Sequence, residues 1–266
     1  MKTVIIIPAR YASQRYPGKP LVELRDRDGQ SKSLIRRSWE AAMAVPGIDG
    51  VYVATDDERI RDAAEAFGAQ VIMTSESCRN GTERCADALA VAGIEADLVI
   101  NLQGDSPLTP AWFVEDLVKA MAERPDMEMA TPVLRCDAQT YAHFVADRKA
   151  GRVGGTTAVF GTGMRAIYFS KEVIPYIDPD KADSAYDEVF HHVGLYAYRP
   201  DALARYVTWA PGRLEGHEGL EQLRFLENGV PVLCVEVEGK GRVFWELNNP
   251  EDVARIESIL MAEGEA

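Results

Sequence analysis

Three cations, Arg10, Arg15 and Lys19, fall within ten residues of a loop that runs from Pro8 to Pro20. A guanidinium presents a planar fork that grips phosphate through parallel hydrogen bonds, and an ammonium is a compact point charge. A polyphosphate is the anion that uses this mixture. Asp105 stands in the segment Asn101–Pro107, directly after Gly104. A lone carboxylate at a strand tip can hold a hard divalent cation on phosphate oxygens. Asn80, Gly81, Thr82, Glu83 and Arg84 open an apolar-periodic run, where the N–H groups of a helix start can grip a phosphate or a base edge. Each segment also has a plainer reading: a solvated basic loop, an aspartate closing a turn, and Thr82 as an ordinary N-cap.

These residues need a scaffold, and the chain supplies a regular one. Thr3–Ile7 is a continuous β-branched run suited to a fully buried parallel strand. Strands are expected at 51–54, 70–73, 98–102 and 129–134, with helices at 33–45, 56–67, 82–92 and 110–123. Gly68 is placed as a helix terminator and Pro110 at a helix start. Alternating strands and helices predict a doubly wound, mostly parallel α/β sheet. Ligands of such sheets bind beyond the carboxyl ends of the strands, at the switch in strand order. The loop after the first strand is therefore the first place to look. Near residue 135 the rhythm breaks into short β-like runs at 157–160, 166–170 and 193–198, and His143 reads as a surface or half-buried helix residue. A helix at 214–228, a strand at 232–236 and a terminal helix at 250–262 follow. The expected organisation is an α/β part over 1–134, a smaller β-rich inserted lobe over 135–200, and a return to the main domain over 201–266. Gly161, Gly163 and Ala166 match a loose dinucleotide fingerprint, but a β-like run follows where a helix is required. That segment reads as a turn between two strands.

Bulk properties set limits. The chain has 266 residues, 47% hydrophobic and 27% charged, and a formal net charge of −13. Such a length buries a core without disulfides or metals. The negative charge argues against nucleic acid or an anionic membrane as partner. The acidic load, including Glu58, Asp62 and Glu65, is assigned to solvated helix faces, leaving a positive cleft over the first strand. Cys78, Cys85, Cys136 and Cys234 lack a CxxC spacing and read as free thiols of a reducing cytoplasm. No apolar run approaches the roughly 20 residues that span a bilayer.

In this order and at these spacings, the segments resemble the cytidylyltransferases that activate 2-keto-3-deoxy sugar acids, the CMP-Kdo synthetase (3-deoxy-manno-octulosonate cytidylyltransferase) family. Residues 7–13 and 16–21 are similar to that family's nucleotide loop. Segments 53–56, 80–84, 103–105, 166–170, 192–199, 220–224 and 250–252 resemble its later motifs. The resemblance implies the coupling of CTP to a Kdo-type sugar acid, giving a CMP-sugar and pyrophosphate, with Mg²⁺ as cofactor and a cytoplasmic homodimer as the assembly. It implies Arg10, Lys19 and Asp105 as the catalytic charges. Pro8, Ala9, Arg10, Arg15, Lys19, Asn80, Gly81, Thr82, Arg84, Gln103 and Asp105 would form the nucleotide site. Arg165, His192, Tyr196, Glu221 and Gln222 would meet the sugar acid, and Asp105 and Asn248 the metal. Strand alternation lets at most one of His191 and His192 line a site.

The chain also departs from the family pattern. Ser106 stands where the family has glutamate, and Asn248 where it has a metal-binding aspartate. Thr157 lies near a family lysine. Gly216 follows Glu215 where the family has histidine, with His217 one place later. These changes leave two alternatives open: transfer to a different acid, such as a modified ulosonic or nonulosonic acid or a phosphonate, or a degenerate CTP-binding non-enzyme.

Overall fold

The computed structural model of the protein describes residues 1–12, 16–153, 155–178, 180, 185–242 and 244–262. In chain order its strands are β1 (Thr3–Ala9), β2 (Glu23–Arg25), β3 (Ser31–Ser33), β4 (Gly50–Thr55), β5 (Gln70–Met73), β6 (Leu98–Leu102), β7 (Met129–Arg135), β8 (Thr156–Phe160), β9 (Ala166–Ser170), β10 (Phe190–His192), β11 (Leu195–Tyr198) and β12 (Val232–Glu236). Its helices are α1 (Leu34–Met43), α2 (Glu58–Ala66), α3 (Gly81–Ala92), α4 (Ala111–Glu123), α5 (Ala138–Lys149), α6 (Pro200–Tyr206), α7 (Arg213–Glu218), α8 (Leu223–Glu227) and α9 (Asp252–Ala262). The chain forms two compact units, one from Met1–Glu115 with Gly241–Ala266 and one from Asp116–Lys240.

In the first unit β5, β4, β1 and β6 lie side by side in that order, and every pair is parallel. All seven residues of β1 and all five of β6 are buried, as continuous apolar strands of a covered parallel sheet must be. The chain steps outward from β1 through α1, β4 and α2 to β5. It then crosses through α3 to β6, on the other side of β1. The strand order therefore reverses between β1 and β6, and the crevice of a doubly wound sheet opens there. Local chemistry sets the helix ends. Asp57 caps α2 by accepting from the Arg59 N–H, and Gly68, at φ +90°, follows its last turn. Leu34, Ile35, Ser38 and Ala42 form the buried stripe of α1. Fully burying a leucine or isoleucine stabilises the fold by roughly 1.5–3 kcal/mol.

In the second unit β7 is central. β12 runs parallel along one edge, and β11 and then β10 run antiparallel to it. β8 continues from β10 and β9 from β8, both antiparallel. This is the β-rich unit of the two. It spans 116–240 rather than 135–200, because β7 pairs with strands on both sides of residue 200. The expected 214–228 helix is two helices, since Gly219 at φ +63° closes α7. The Gly161–Met164 segment is a turn between β8 and β9, as the missing helix signal predicts. All four cysteines are free. Among the described residues no helix is long and apolar enough to cross a membrane.

Candidate functional site

The first unit places its cations and its carboxylate at the β1/β6 switch point. After β1 the chain turns back at Gly18, which has φ +73° and donates its N–H to the Tyr11 carbonyl at 2.9 Å. A Cβ at Gly18 would stand 3.2 Å from the Tyr11 ring, so the loop closes tightly on that ring. A short 3₁₀ turn over Lys19–Leu21 follows, anchored by buried Pro20. It delivers the Lys19 Nζ to 2.6 Å from Asp105 Oδ2. Pro8 and Ala9 are buried at the end of β1, and a Cβ at Gly104 would lie 2.8 Å from the Pro8 carbonyl oxygen. The two strand tips approach this closely only because residue 104 has no side chain. Arg10 is exposed, and its Nη1 donates to the Arg79 carbonyl at 3.5 Å. Arg15 lies outside the described residues.

The start of α3 forms the second wall. Asn80, not Thr82, is the N-cap, and its side chain accepts from the Glu83 N–H at 2.8 Å. Thr82 is buried. A Cβ at Gly81 would meet the Gln103 amide at 2.9 Å and the Asn101 amide nitrogen at 3.2 Å, so Gln103 packs against the first turn of α3. Asn101 is completely buried, and neither Nδ2 nor Oδ1 has a hydrogen-bond partner. Its signal in the sequence is a polar residue inside the apolar run of β6. Arg84 is 2% exposed, with Nη1 on Thr74 Oγ1 at 2.6 Å and Nη2 on Asp56 Oδ2 at 3.0 Å. Its charge is thus held on the tip of β4. Arg79, which the motif reading passed over, pairs with Glu83 at 2.7 Å. Of the cations expected to form a positive cleft, Lys19 and Arg84 are matched to the carboxylates of Asp105 and Asp56, and Arg10 is exposed on the Arg79 carbonyl.

The returning segment completes this end of the first unit. The Leu247 N–H donates to the Asp105 carbonyl at 2.9 Å, which brings Asn248 beside Asp105. Asp252 Oδ2 accepts from the N–H groups of Asn248 and Asn249 at 2.9 and 2.7 Å, and its Oδ1 accepts from Trp245 Nε1 at 2.9 Å. Asp252 is thereby occupied as the brace of the segment. Among the described residues no group of three or more His, Cys, Asp or Glu comes together to hold a metal. Asp105 brings a carboxylate and the neighbouring Asn248 an amide of the kinds that Mg²⁺ takes, a cation that keeps much of its shell as water and substrate phosphate oxygens.

The second unit brings His192, Tyr196 and Gln222 of the expected acid-side residues together. Rings of His192 and Tyr196 lie 5.7 Å apart, and the Tyr196 hydroxyl donates to Gln222 Oε1 at 3.2 Å. His192 and Gln222 are buried, and the Nε2 atom of each lacks a partner. Burial, and then His191, push the His192 pKa down to about 3, so the ring is neutral across the physiological range. His191 packs on Phe144 and His192 on Phe169, so the two occupy different surroundings, as strand alternation requires. The Glu221 carbonyl accepts from the Tyr206 hydroxyl at 3.2 Å. Arg165 is not brought into this cluster: it is exposed and paired with Asp126 at 3.3 Å. The Thr157 hydroxyl donates to the Glu172 carbonyl at 2.6 Å and accepts the Ile174 N–H at 3.2 Å, a structural use. Glu215 binds buried Arg224 through two oxygens, at 2.7 and 2.6 Å, and accepts the Gly212 N–H at 2.9 Å.

A parallel sheet that places a lysine, a carboxylate and a helix start at its switch point is the architecture of a nucleotide-binding transferase. A sequence model described as Cytidylyltransferase matches residues 4–237. The protein is 45% identical to the 3-deoxy-manno-octulosonate cytidylyltransferase of Maricaulis maris over all of this chain and 99% of that one. It is 38% identical to the mitochondrial enzyme of that name from Arabidopsis thaliana, over 97% of this chain and 83% of the relative. A solved CMP:2-keto-3-deoxy-manno-octonic acid synthetase in complex with CTP superposes with a TM-score of 0.83 at 34% identity, covering 99% of this chain and 100% of the other. The 4-diphosphocytidyl-2C-methyl-D-erythritol synthase of Anaerococcus prevotii shares the fold, with a TM-score of 0.60 at 13% identity over 97% and 96% of the chains. The chain belongs to the cytidylyltransferase family.

Proposed function

We propose that the protein couples CTP to 3-deoxy-manno-octulosonate, releasing pyrophosphate and CMP-3-deoxy-manno-octulosonate. In this reading the anomeric hydroxyl attacks the α-phosphorus in line. A C–O–P bond forms, the bond to the β-phosphate oxygen breaks, and the hydroxyl proton is lost to solvent. The observation that carries the reading is Lys19 at 2.6 Å from Asp105 on the β1/β6 switch point. Lys19 and Arg10 neutralise the triphosphate, and Gln103 with the first turn of α3 holds the nucleoside. Catalysis is then positioning and electrostatics, as in phosphoryl transfer generally. Mg²⁺ bound at Asp105 and Asn248 would neutralise charge on the leaving pyrophosphate. In the second unit, neutral His192 and the Gln222 amide are buried polar groups awaiting a partner, and a polyhydroxylated acid offers hydroxyls and a carboxylate to both.

A second reading, transfer to a different acid, is favoured by Thr157 and Gly216. The first spends its hydroxyl on backbone and the second has no side chain, so neither offers a charge to the substrate. The test is pyrophosphate release from CTP and Mg²⁺ against a panel of ulosonic acids. Release with 3-deoxy-manno-octulosonate supports the first reading, release only with another acid supports the second, and release with none refutes both. The reading includes a cytoplasmic location and a homodimer, and light scattering of the purified protein checks the homodimer.

A further inference from the structure

The tip of β4 reaches both nucleotide-facing elements through consecutive carboxylates. Asp56 holds Arg84 of α3 at 3.0 Å. Asp57 caps α2 and is gripped by Arg59 at both oxygens, Nε to Oδ1 at 2.9 Å and Nη2 to Oδ2 at 2.6 Å. This bidentate pairing fixes the plane of the guanidinium. The fixed guanidinium lies over the face of Tyr11, 3.3 Å from the ring centroid. Tyr11 in turn accepts the Gly18 N–H through its carbonyl and packs its ring on Gly18, the residue before Lys19. The neighbouring Arg61 pairs with Asp62 and Glu58 on its own helix. Arg59 is the arginine of α2 that reaches the loop after β1.

We propose that Arg59 is a positioning residue for nucleotide binding: by clasping Tyr11 it fixes the turn that sets Lys19 against Asp105. Arg59 touches neither the reacting atoms nor the pair it positions. Its effect therefore falls on affinity for CTP and not on turnover once CTP is bound. The inference rests on the reading of this loop as the triphosphate site. An exposed cation–π contact corresponds to about a two- to fivefold change in affinity.

The experiment is a calorimetric titration of the full chain with Mg²⁺–CTP, paired with steady-state kinetics. Arg59→Met and Tyr11→Leu each raise the CTP Kd about two- to fivefold, and the double variant is no weaker than the worse single one, because both remove one contact. Tyr11→Phe keeps the ring face and binds as the wild type does. In Arg59→Met the kcat at saturating CTP is unchanged while the KM rises. A Kd for Arg59→Met within about 1.5-fold of wild type, or full additivity of the two single variants, overturns the proposal. Lys19→Ala is run beside them and weakens CTP binding at least tenfold, the loss of a charge-assisted contact. Unchanged binding in Lys19→Ala overturns the reading of the loop itself, a result separate from the fate of the clasp.

Discussion

Replacing Gly104 by alanine places a methyl carbon 2.8 Å from the Pro8 carbonyl oxygen, closer than real side chains approach a backbone oxygen. Relief requires one of two strand tips to move, and both are tied. Pro8 pairs with Ala54 in the β1–β4 ladder, and the Gly104 carbonyl accepts the Ser38 hydroxyl at 3.1 Å. Overpacking of this kind costs about 1–3 kcal/mol. The lost flexibility of the unfolded chain returns about 0.4–1 kcal/mol. The net is a destabilisation of about 1–2 kcal/mol, which lowers Tm by about 2–8 °C in a chain of this size. Asp105 adjoins Gly104, so the strain also displaces the carboxylate from Lys19 and weakens CTP binding. Gly216→Ala is the internal control. It lies within α7, has no positive φ, and nothing stands within 4 Å of its added Cβ. There the same substitution stabilises by about 0.5–1 kcal/mol. Thermal unfolding followed by circular dichroism, with a CTP titration of each variant, reads both effects. Equal or higher stability in Gly104→Ala, or the same sign of change in both variants, refutes the reasoning.

Three further outcomes are expected. Asn248→Asp restores a negative charge beside Asp105 and lowers the Mg²⁺ concentration that half-saturates pyrophosphate release; an unchanged midpoint removes Asn248 from the metal site. Glu215→Ala removes the carboxylate that Arg224, which is 1% exposed, grips through two oxygens. It costs about 3–5 kcal/mol in urea unfolding, and a loss below about 1 kcal/mol contradicts a buried pair. His192 has a folded-state pKa of about 3, below the ordinary value, so the unfolded chain binds the extra proton between these limits. Its contribution is present above pH ~6.5 and is lost toward pH 3, at about 1.4 kcal/mol per pH unit. His192→Phe flattens the fall of stability between pH 6 and 4.5, and an unaltered slope shows that the ring is not held neutral.

The parallel half of the fold was legible because each of its strands and helices carries a local signal. Thr3–Ile7 is β-branched without interruption, Asp57 caps α2, and Gly68 ends it. The rule about where strand order reverses pointed to the loop after β1, whereas the pairing of Lys19 with Asp105, far apart in sequence, is given only by the structure. The helix around His143 was expected, but the bounds of α5 were not, because only Phe144 of its twelve residues is buried and its apolar period is faint. Arg84 could not be placed from its motif. Whether an arginine at a helix start faces a ligand or a carboxylate depends on the strand tip beside it, here Asp56. The pairing of Arg79 with Glu83 was open to a helical-spacing argument, since the two are four residues apart. The partnerless amide of Asn101 was visible only as a polar residue out of place in β6.

The first unit is discontinuous in sequence: its final stretch begins at Gly241, after the whole of the second unit. A ribosome therefore releases Lys19 and Asp105 early, and Leu247 only about 140 residues later, on the order of ten seconds at ordinary elongation rates. Throughout that interval the nascent chain holds the lysine and the carboxylate but lacks the N–H that fastens Asp105 and the segment that Asp252 braces. The second unit, continuous from Asp116 to Lys240, is free to fold during the wait. Assembly of this end of the first unit is thus timed to the segment that begins at Gly241, and a chain stalled before Gly241 is born without it.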